Sequence, residues 1–219
     1  MFDNETRRKI QNIISGISIE GESNNCTTAR NFLCASFTTS TTVKKEFEHR
    51  AKIKEEQHKL LISLAKENNF WLQKLPIDNT YFARGGEAKV YLANDGRNVI
   101  KINDAIYYNT WLDFLNSILL HNSLFKDTIY KLIGFLEIEK KLFAVLEQPF
   151  VISTDPTDLL NVKTFLQHNG FKNTKRNDYY NEELGLILED IHDENVITNS
   201  DVLFFIDTVF YINLTNESK

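Results

Sequence analysis

Cysteine is nearly absent, with only Cys26 and Cys34 in 219 residues. Their spacing matches neither a zinc knuckle nor the dense framework of a disulfide-stapled secreted protein, so a reducing cytoplasm is the expected location. Proline is scarce too, at three residues, while 42% of the chain is hydrophobic and 12% aromatic. A chain of this composition can bury enough apolar surface to offset its conformational entropy, which excludes general disorder. No window approaches the roughly 20 apolar residues that a membrane span needs. The opening MFDNETRRKIQ has no apolar signal segment, so a soluble protein without a membrane partner is expected. An excess of positive charge is missing as well. The net charge is −5, and residues after Leu75 carry 13 Lys and Arg against 21 Asp and Glu. A duplex-binding domain concentrates basic side chains on one face, so nucleic acid is not the expected main ligand.

What remains is a length suited to one core with an appendage. No internal repeat is visible, and three regions differ in texture: an N-terminal helical extension over 1–75, a strand-rich part over 76–150, and a final segment over 151–219 that holds the densest polar signal. Residues 4–17 read as a short helix. SFTTSTT at 36–42 reads as loop, because Ser and Thr divert backbone hydrogen bonds, and Thr42 is a candidate N-cap. From Lys44 to Asn68 the spacing predicts a helix, solvated early and docked later through Leu60, Leu61 and Leu64. The alternating charges and incomplete heptads of that helix favour a solvated face over a nucleic-acid or coiled-coil surface. Strands are expected on both sides of Gly96 in an Asn94-Asp95-Gly96 turn. A core helix follows over Tyr107–Leu120, with Trp111 and Phe114, and then two strands joined at Glu139–Lys141.

Phosphoryl transfer needs a loop over the phosphates, a cation on the non-transferring phosphates, metal ligands, and a carboxylate for the nucleophile. Residues of each type occur in order. Gly85 and Gly86 stand in ARGGEAKV immediately before a strand, a pattern that alone marks a turn or bulge. Lys101 lies between Ile100 and Ile102 on the next strand, where an inward-pointing ammonium would meet α- and β-phosphates. The alternative is a surface lysine on an edge hairpin. Asp190 and Asn195 lie five residues apart in LGLILEDIHDENVI, and Asp207 follows twelve later in LFFIDTV. A hairpin would bring the three together, and one base with two metal ligands is the chemistry they suit.

D-I-H-D-E-N resembles the Asp-Leu/Ile-His-x-x-Asn catalytic loop of kinase-like phosphotransferases, including aminoglycoside and choline kinase relatives, and FFID resembles their metal-binding strand end. From GGEAKVY to FIDTVF, about two-thirds of the chain, the sequence is similar to the compact kinase domain of bacterial polyvalent proteins from phages and conjugative elements. The resemblance implies an α+β, protein-kinase-like two-lobed fold with a reduced C-lobe and an N-terminal helical extension. The lobes would divide as 76–150, with the hinge, and 151–219. It makes Asp190 the group that orients or deprotonates the acceptor, Asn195 and Asp207 the Mg²⁺ ligands, and Lys101 the phosphate-binding lysine. Glu147 falls at the hinge, its main-chain carbonyl accepting from adenine, with Val90, Leu146 and Ile197 lining the base.

Four departures accompany the matches. Leu188-Glu189 stands where a His-Arg pair precedes the catalytic Asp, Asp207-Thr208-Val209 replaces Asp-Phe-Gly, two loop glycines are missing, and no Glu follows Lys101 on the helix. Asp113 is the one acid well inside that helix and the candidate to pair with Lys101, against a solvated role. Twelve residues follow Asp207, which leaves no room for an activation loop or a protein-substrate platform. His192 is read as organising its loop, by bonds to carbonyls or a place near Asp207. A His192-Asp193 metallohydrolase would need further ligands, and His49, His58, His121 and His168 show no ligand spacing. The two cysteines read as buried free thiols.

The expectation is therefore an ATP- and Mg²⁺-dependent phosphotransferase, an atypical Ser/Thr/Tyr protein kinase with a protein acceptor and autophosphorylation, around Thr38–Thr42 for example. The alternatives are a nucleotide-binding pseudokinase that serves as an interaction module, or transfer of AMP.

Overall fold

The computed structural model describes residues 3–21, 24–37, 47–77, 81–84 and 88–213. Contacts divide the chain into two compact units. One comprises residues 16–116 and 130–150, and the other residues 1–15, 117–129 and 151–219.

The first unit is built on a five-stranded antiparallel sheet in the order β1-β2-β3-β5-β4. Its strands are β1 (Tyr81–Arg84), β2 (Ala88–Leu92), β3 (Asn98–Asn103), β4 (Lys131–Ile138) and β5 (Lys141–Pro149). The Asn94-Asp95-Gly96 turn forms where the sequence places it. Gly96 is left-handed at φ 65°, and the Asp95 carboxylate accepts from the amides of Arg97 and Asn98. β4 and β5 join through Glu139 and Lys140, both left-handed at φ 50° and 64°, as a two-residue hairpin with right-handed strand twist demands.

Three helices belong wholly or partly to this unit: α2 (Asn25–Phe37), α3 (Phe47–Glu67) and α4 (Trp111–Leu124). The helix α3 forms inside the predicted 44–68 window, whose first residues lie outside the described ones, as do Thr38–Thr42. Helix α4 starts four residues later than the apolar spacing suggests, because Thr110 caps it: its Oγ1 accepts from the Asp113 amide at 3.0 Å. Gln57 of α3 accepts from the Leu112 amide at 3.1 Å, and Lys54 donates to the Tyr108 carbonyl at 2.8 Å, so α3 also fixes the approach to α4. Trp111 meets Phe114 and Phe135 edge-on at 5.7 and 5.9 Å, with Phe70 6.2 Å from Phe135. The segment around Phe70 runs against β4 at Gly134, and Phe135 N donates to Phe70 O at 3.0 Å.

Helix α2 was not expected. Its residues NCTTARNFLCASF are mostly small or polar, yet Cys26, Ala29, Arg30, Leu33 and Cys34 form one buried face at helical spacing. Arg30 stays satisfied there by donating to Asn116 Oδ1 and Asn31 Oδ1, both at 3.1 Å, and to the Ile17 carbonyl. Both cysteines are buried, as read, and neither forms a disulfide among the described residues.

The second unit holds α1 (Asn4–Ile14), α5 (Leu159–His168), and the strands β6 (Lys172–Lys175), β7 (Asp178–Asn181), β8 (Leu186–Glu189), β9 (Val196–Asn199), β10 (Val202–Phe205) and β11 (Val209–Ile212). These strands form a sheet in the order β11-β8-β7-β6 and a separate β9–β10 ribbon. Asp3 caps α1, accepting from the Thr6 amide at 2.7 Å, and Ile10 and Ile13 are buried. The helix ends at Ile14, short of the predicted 17, because Gly16 turns left-handed at φ 69°. Arg7 pairs with Glu183 within this unit.

Candidate functional site

Strand register sets the backbone that carries the acid and amide residues of the second unit. β8 delivers Glu189 opposite Val209 of β11, so the next residue out of β8, Asp190, and the residue before β11, Thr208, leave the same end of that ladder. The β9–β10 ribbon pairs Val196 with Phe205, and beyond it the Asn195 carbonyl accepts from the amides of Ile206 and Asp207 at 2.9 and 3.3 Å. Asp190, Asn195 and Asp207 are thus held by two antiparallel pairings, as a hairpin through this region requires.

The loop bonds itself into one conformation. Asn195 Nδ2 donates to the Asp190 carboxylate at 3.1 Å and to the Asp190 carbonyl at 2.9 Å. His192 accepts from the Glu194 amide through Nδ1 at 3.3 Å, and its Nε2 stands 3.3 Å from Asp190 Oδ1 and 3.1 Å from Asn195 Nδ2. The His192 carbonyl accepts from the amides of Asn195 and Val196, both at 3.0 Å. His192 therefore organises the loop through its ring and its carbonyl. Asp190 itself is left-handed at φ 63°, a conformation that Asp and Asn adopt at least cost among residues with a Cβ. Its amide donates to Asp178 Oδ1 at 3.4 Å. Partial burial, with Asp178 and Asp190 nearby, pushes the Glu189 carboxyl above its ordinary value.

In the first unit, Val90, Lys101 and Leu146 are direct cross-strand partners on β2, β3 and β5, so they share one face of the sheet. β3 is an interior strand and Lys101 is 5% exposed, which removes the surface-lysine alternative. Its ammonium donates to the Tyr130 hydroxyl at 3.3 Å and lies 5.2 Å from the centre of that ring. Glu147, one residue beyond Leu146, belongs to the opposite face. It pairs with Ile100 and Lys131 in the ladders, and its carboxylate accepts from Lys131 Nζ at 3.2 Å. The Asp113 carboxyl is raised above its ordinary value by burial, opposed by the Thr110 hydroxyl bond and by the charges of Arg50 and Lys54 on α3. Ile197 lies on β9 opposite Phe204. Gly85 and Gly86 lie outside the described residues.

A profile of the serine/threonine/tyrosine kinase found in polyvalent proteins matches residues 54–214. The chain belongs to this family. No curated protein and no solved structure matches it. The polyvalent-protein kinase match begins inside α3 and runs through β11, so it takes in every candidate residue in both units. Tyr130 and Asp178 were not found by reading the sequence. Tyr130 stands 29 residues from Lys101 and no local spacing ties them, whereas Asp178 could have been noticed only through the β7–β8 pairing.

Proposed function

We propose that this kinase-family chain is an ATP- and Mg²⁺-dependent phosphotransferase that phosphorylates a protein hydroxyl, its own included. The supporting observation is the bonded loop in which Asn195 and His192 hold the Asp190 carboxylate while the Asn195 carbonyl holds the backbone of Asp207. Loop geometry of this kind suits a reaction in which the protein supplies position and charge rather than covalent chemistry.

In this reading the acceptor oxygen attacks the γ-phosphorus, its proton passes to Asp190, and the bond to the β-phosphate oxygen breaks as ADP leaves. His192 and Asn195 fix which carboxylate oxygen faces the acceptor. Asn195 and Asp207 offer amide and carboxylate oxygens, the hard donors that Mg²⁺ takes. Among the described residues no group of three or more His, Cys, Asp or Glu side chains could hold a metal by itself. A cation here would complete its shell with phosphate oxygens, as Mg²⁺ does in phosphotransferases. When bound, Mg²⁺ neutralises charge on the phosphates. Lys101 is assigned to the non-transferring phosphates, Gly85 and Gly86 to the loop over them, and Val90, Leu146 and Ile197 to the adenine, with the Glu147 main chain at the 76–150 boundary. Residues 1–75 are assigned to an extension of a two-lobed kinase whose reduced C-lobe is 151–219.

A second reading, a nucleotide-binding module without turnover, draws support from Asp113, whose charge partners are Arg50 and Lys54. Calorimetric titration with ATP, with and without Mg²⁺, tests both. Metal-dependent binding that is lost in Lys101→Ala and Asp207→Ala is expected, and no binding by the folded protein refutes either form of the proposal. Loss of phosphate transfer in Asp190→Asn with retained ATP binding selects the enzyme.

A further inference from the structure

A histidine that no spacing marks holds the chain on both sides of Asp207. His121, near the end of α4, has no exposed surface. Its Nε2 lies 2.8 Å from the Thr128 carbonyl, which can only accept, so Nε2 carries the ring proton. In the neutral ring Nδ1 is then an acceptor, and the Thr208 hydroxyl donates to it at 2.7 Å. Thr128 in turn donates its hydroxyl to the Phe205 carbonyl at 2.6 Å. His121 thus grips Thr208 directly and Phe205 through Thr128, and the two residues between are Ile206 and Asp207. The same segment is backed by Phe125, stacked on Phe205 at 4.2 Å, and by the Ser117 hydroxyl, which accepts from the Phe210 amide at 2.9 Å.

A leucine would fill the His121 site without demanding partners. A buried imidazole instead is costly whenever one of its nitrogens is left unpaired, so it stabilises only an arrangement in which both are met. That requirement fixes the rotamer of Thr208 and the placement of the Phe205 carbonyl at once. Asn195 takes the amides of Ile206 and Asp207 from its side of the same segment.

We infer that His121 is a positioning residue for Asp207. Through Thr208 and Thr128 it sets the backbone from which the Asp207 carboxylate is presented to a divalent cation. The inference rests on the reading of Asp207 as a Mg²⁺ ligand, and it adds the group that makes that ligand rigid.

Thr208→Val and Thr208→Ser separate positioning from packing. Valine keeps the shape and removes the hydroxyl, whereas serine keeps the hydroxyl and removes a methyl group. ATP titration of the full chain with and without Mg²⁺ is expected to show the Mg²⁺-dependent gain in affinity reduced about 10- to 100-fold in Thr208→Val, the range for loss of a group that orients a metal ligand. Thr208→Ser is expected to stay near the parent, and ATP binding without Mg²⁺ to be equal in all three. A parent-like Mg²⁺ dependence in Thr208→Val, or a loss confined to Thr208→Ser, overturns the inference while leaving the nucleotide site standing. If the parent shows no Mg²⁺ dependence, the proposed function fails instead, and amide hydrogen exchange of the free protein decides the inference. Faster exchange at Ile206–Phe210 in Thr208→Val, absent in Thr208→Ser, supports it, and equal exchange in the two overturns it.

Discussion

Asp190 combines a strained backbone with a side chain held by two neighbours, which makes Asn the right probe of its chemistry. Asparagine tolerates the left-handed conformation of φ 63° and can still accept from Asn195, so Asp190→Asn is expected to unfold at the parent's temperature. Removing the base should lower phosphate transfer by about 10²–10⁴-fold with ATP affinity retained. Full activity in a stably folded Asp190→Asn sinks the assignment. Lys101 offers the complementary test. A buried ammonium is costly to desolvate, so Lys101→Met is expected to leave folding stability unchanged or raised while weakening ATP binding. A variant that loses stability and ATP affinity together would show a structural lysine. The acid and amide residues stand out in the sequence because Asp190 and Asn195 lie close together along the chain, with Asp207 twelve residues on. Tyr130 and the His121–Thr208 pair, 87 residues apart, do not, since only tertiary folding makes them neighbours.

At the scale of elements, periodicity and turn chemistry revealed the parts that obey them. The Asn-Asp-Gly turn and the β4–β5 hairpin formed as read. Helix α2 escaped because Leu33 is the one large aliphatic on a buried face otherwise made of Cys, Ala and Arg, and β6 because all four of its residues are exposed. Gly134 also carries a constraint visible only in three dimensions. A Cβ there would stand 2.0 Å from the Phe70 carbonyl oxygen, which is backbone and bonded to Phe135. Gly134→Ala is therefore expected to cost about 1–3 kcal/mol or more by overpacking, read from denaturant unfolding; an unchanged midpoint refutes the close approach. Between α3 and α4, burial raises the Asp113 carboxyl. A group raised on folding favours the folded state below its unfolded value, about 3.9, and loses that contribution as pH rises through the folded value. Asp113→Asn removes the dependence, so stability of the variant relative to the parent should grow from pH 3.5 to pH 6. A constant difference over that range excludes burial as the dominant influence.

For the whole molecule, the family match and the folded body have different extents. The match starts at residue 54, yet both units draw core residues from before it. Ile10 and Ile13 of α1 are 0% and 1% exposed in one unit, and Ala29, Arg30 and Leu33 of α2 are each 0% exposed in the other. Amphipathicity in the sequence before residue 54 says that a face is buried and not what it is buried against. Burying one aliphatic side chain contributes about 1.5–3 kcal/mol. Ile10, Ile13 and Leu33 alone then supply an amount comparable to the roughly 5–15 kcal/mol net stability of a domain. A chain starting at residue 54 is accordingly expected to lose cooperative thermal unfolding and amide dispersion in NMR spectra, even though it retains every residue assigned to phosphate, metal and acceptor. The milder Ile10→Ala and Leu33→Ala probe the two units separately, each expected to cost about 2–5 kcal/mol. If the shortened chain instead melts cooperatively and binds ATP, the helices before residue 54 are accessories to a self-sufficient kinase fold, and the burial of Ile10, Ile13 and Leu33 serves only to attach them.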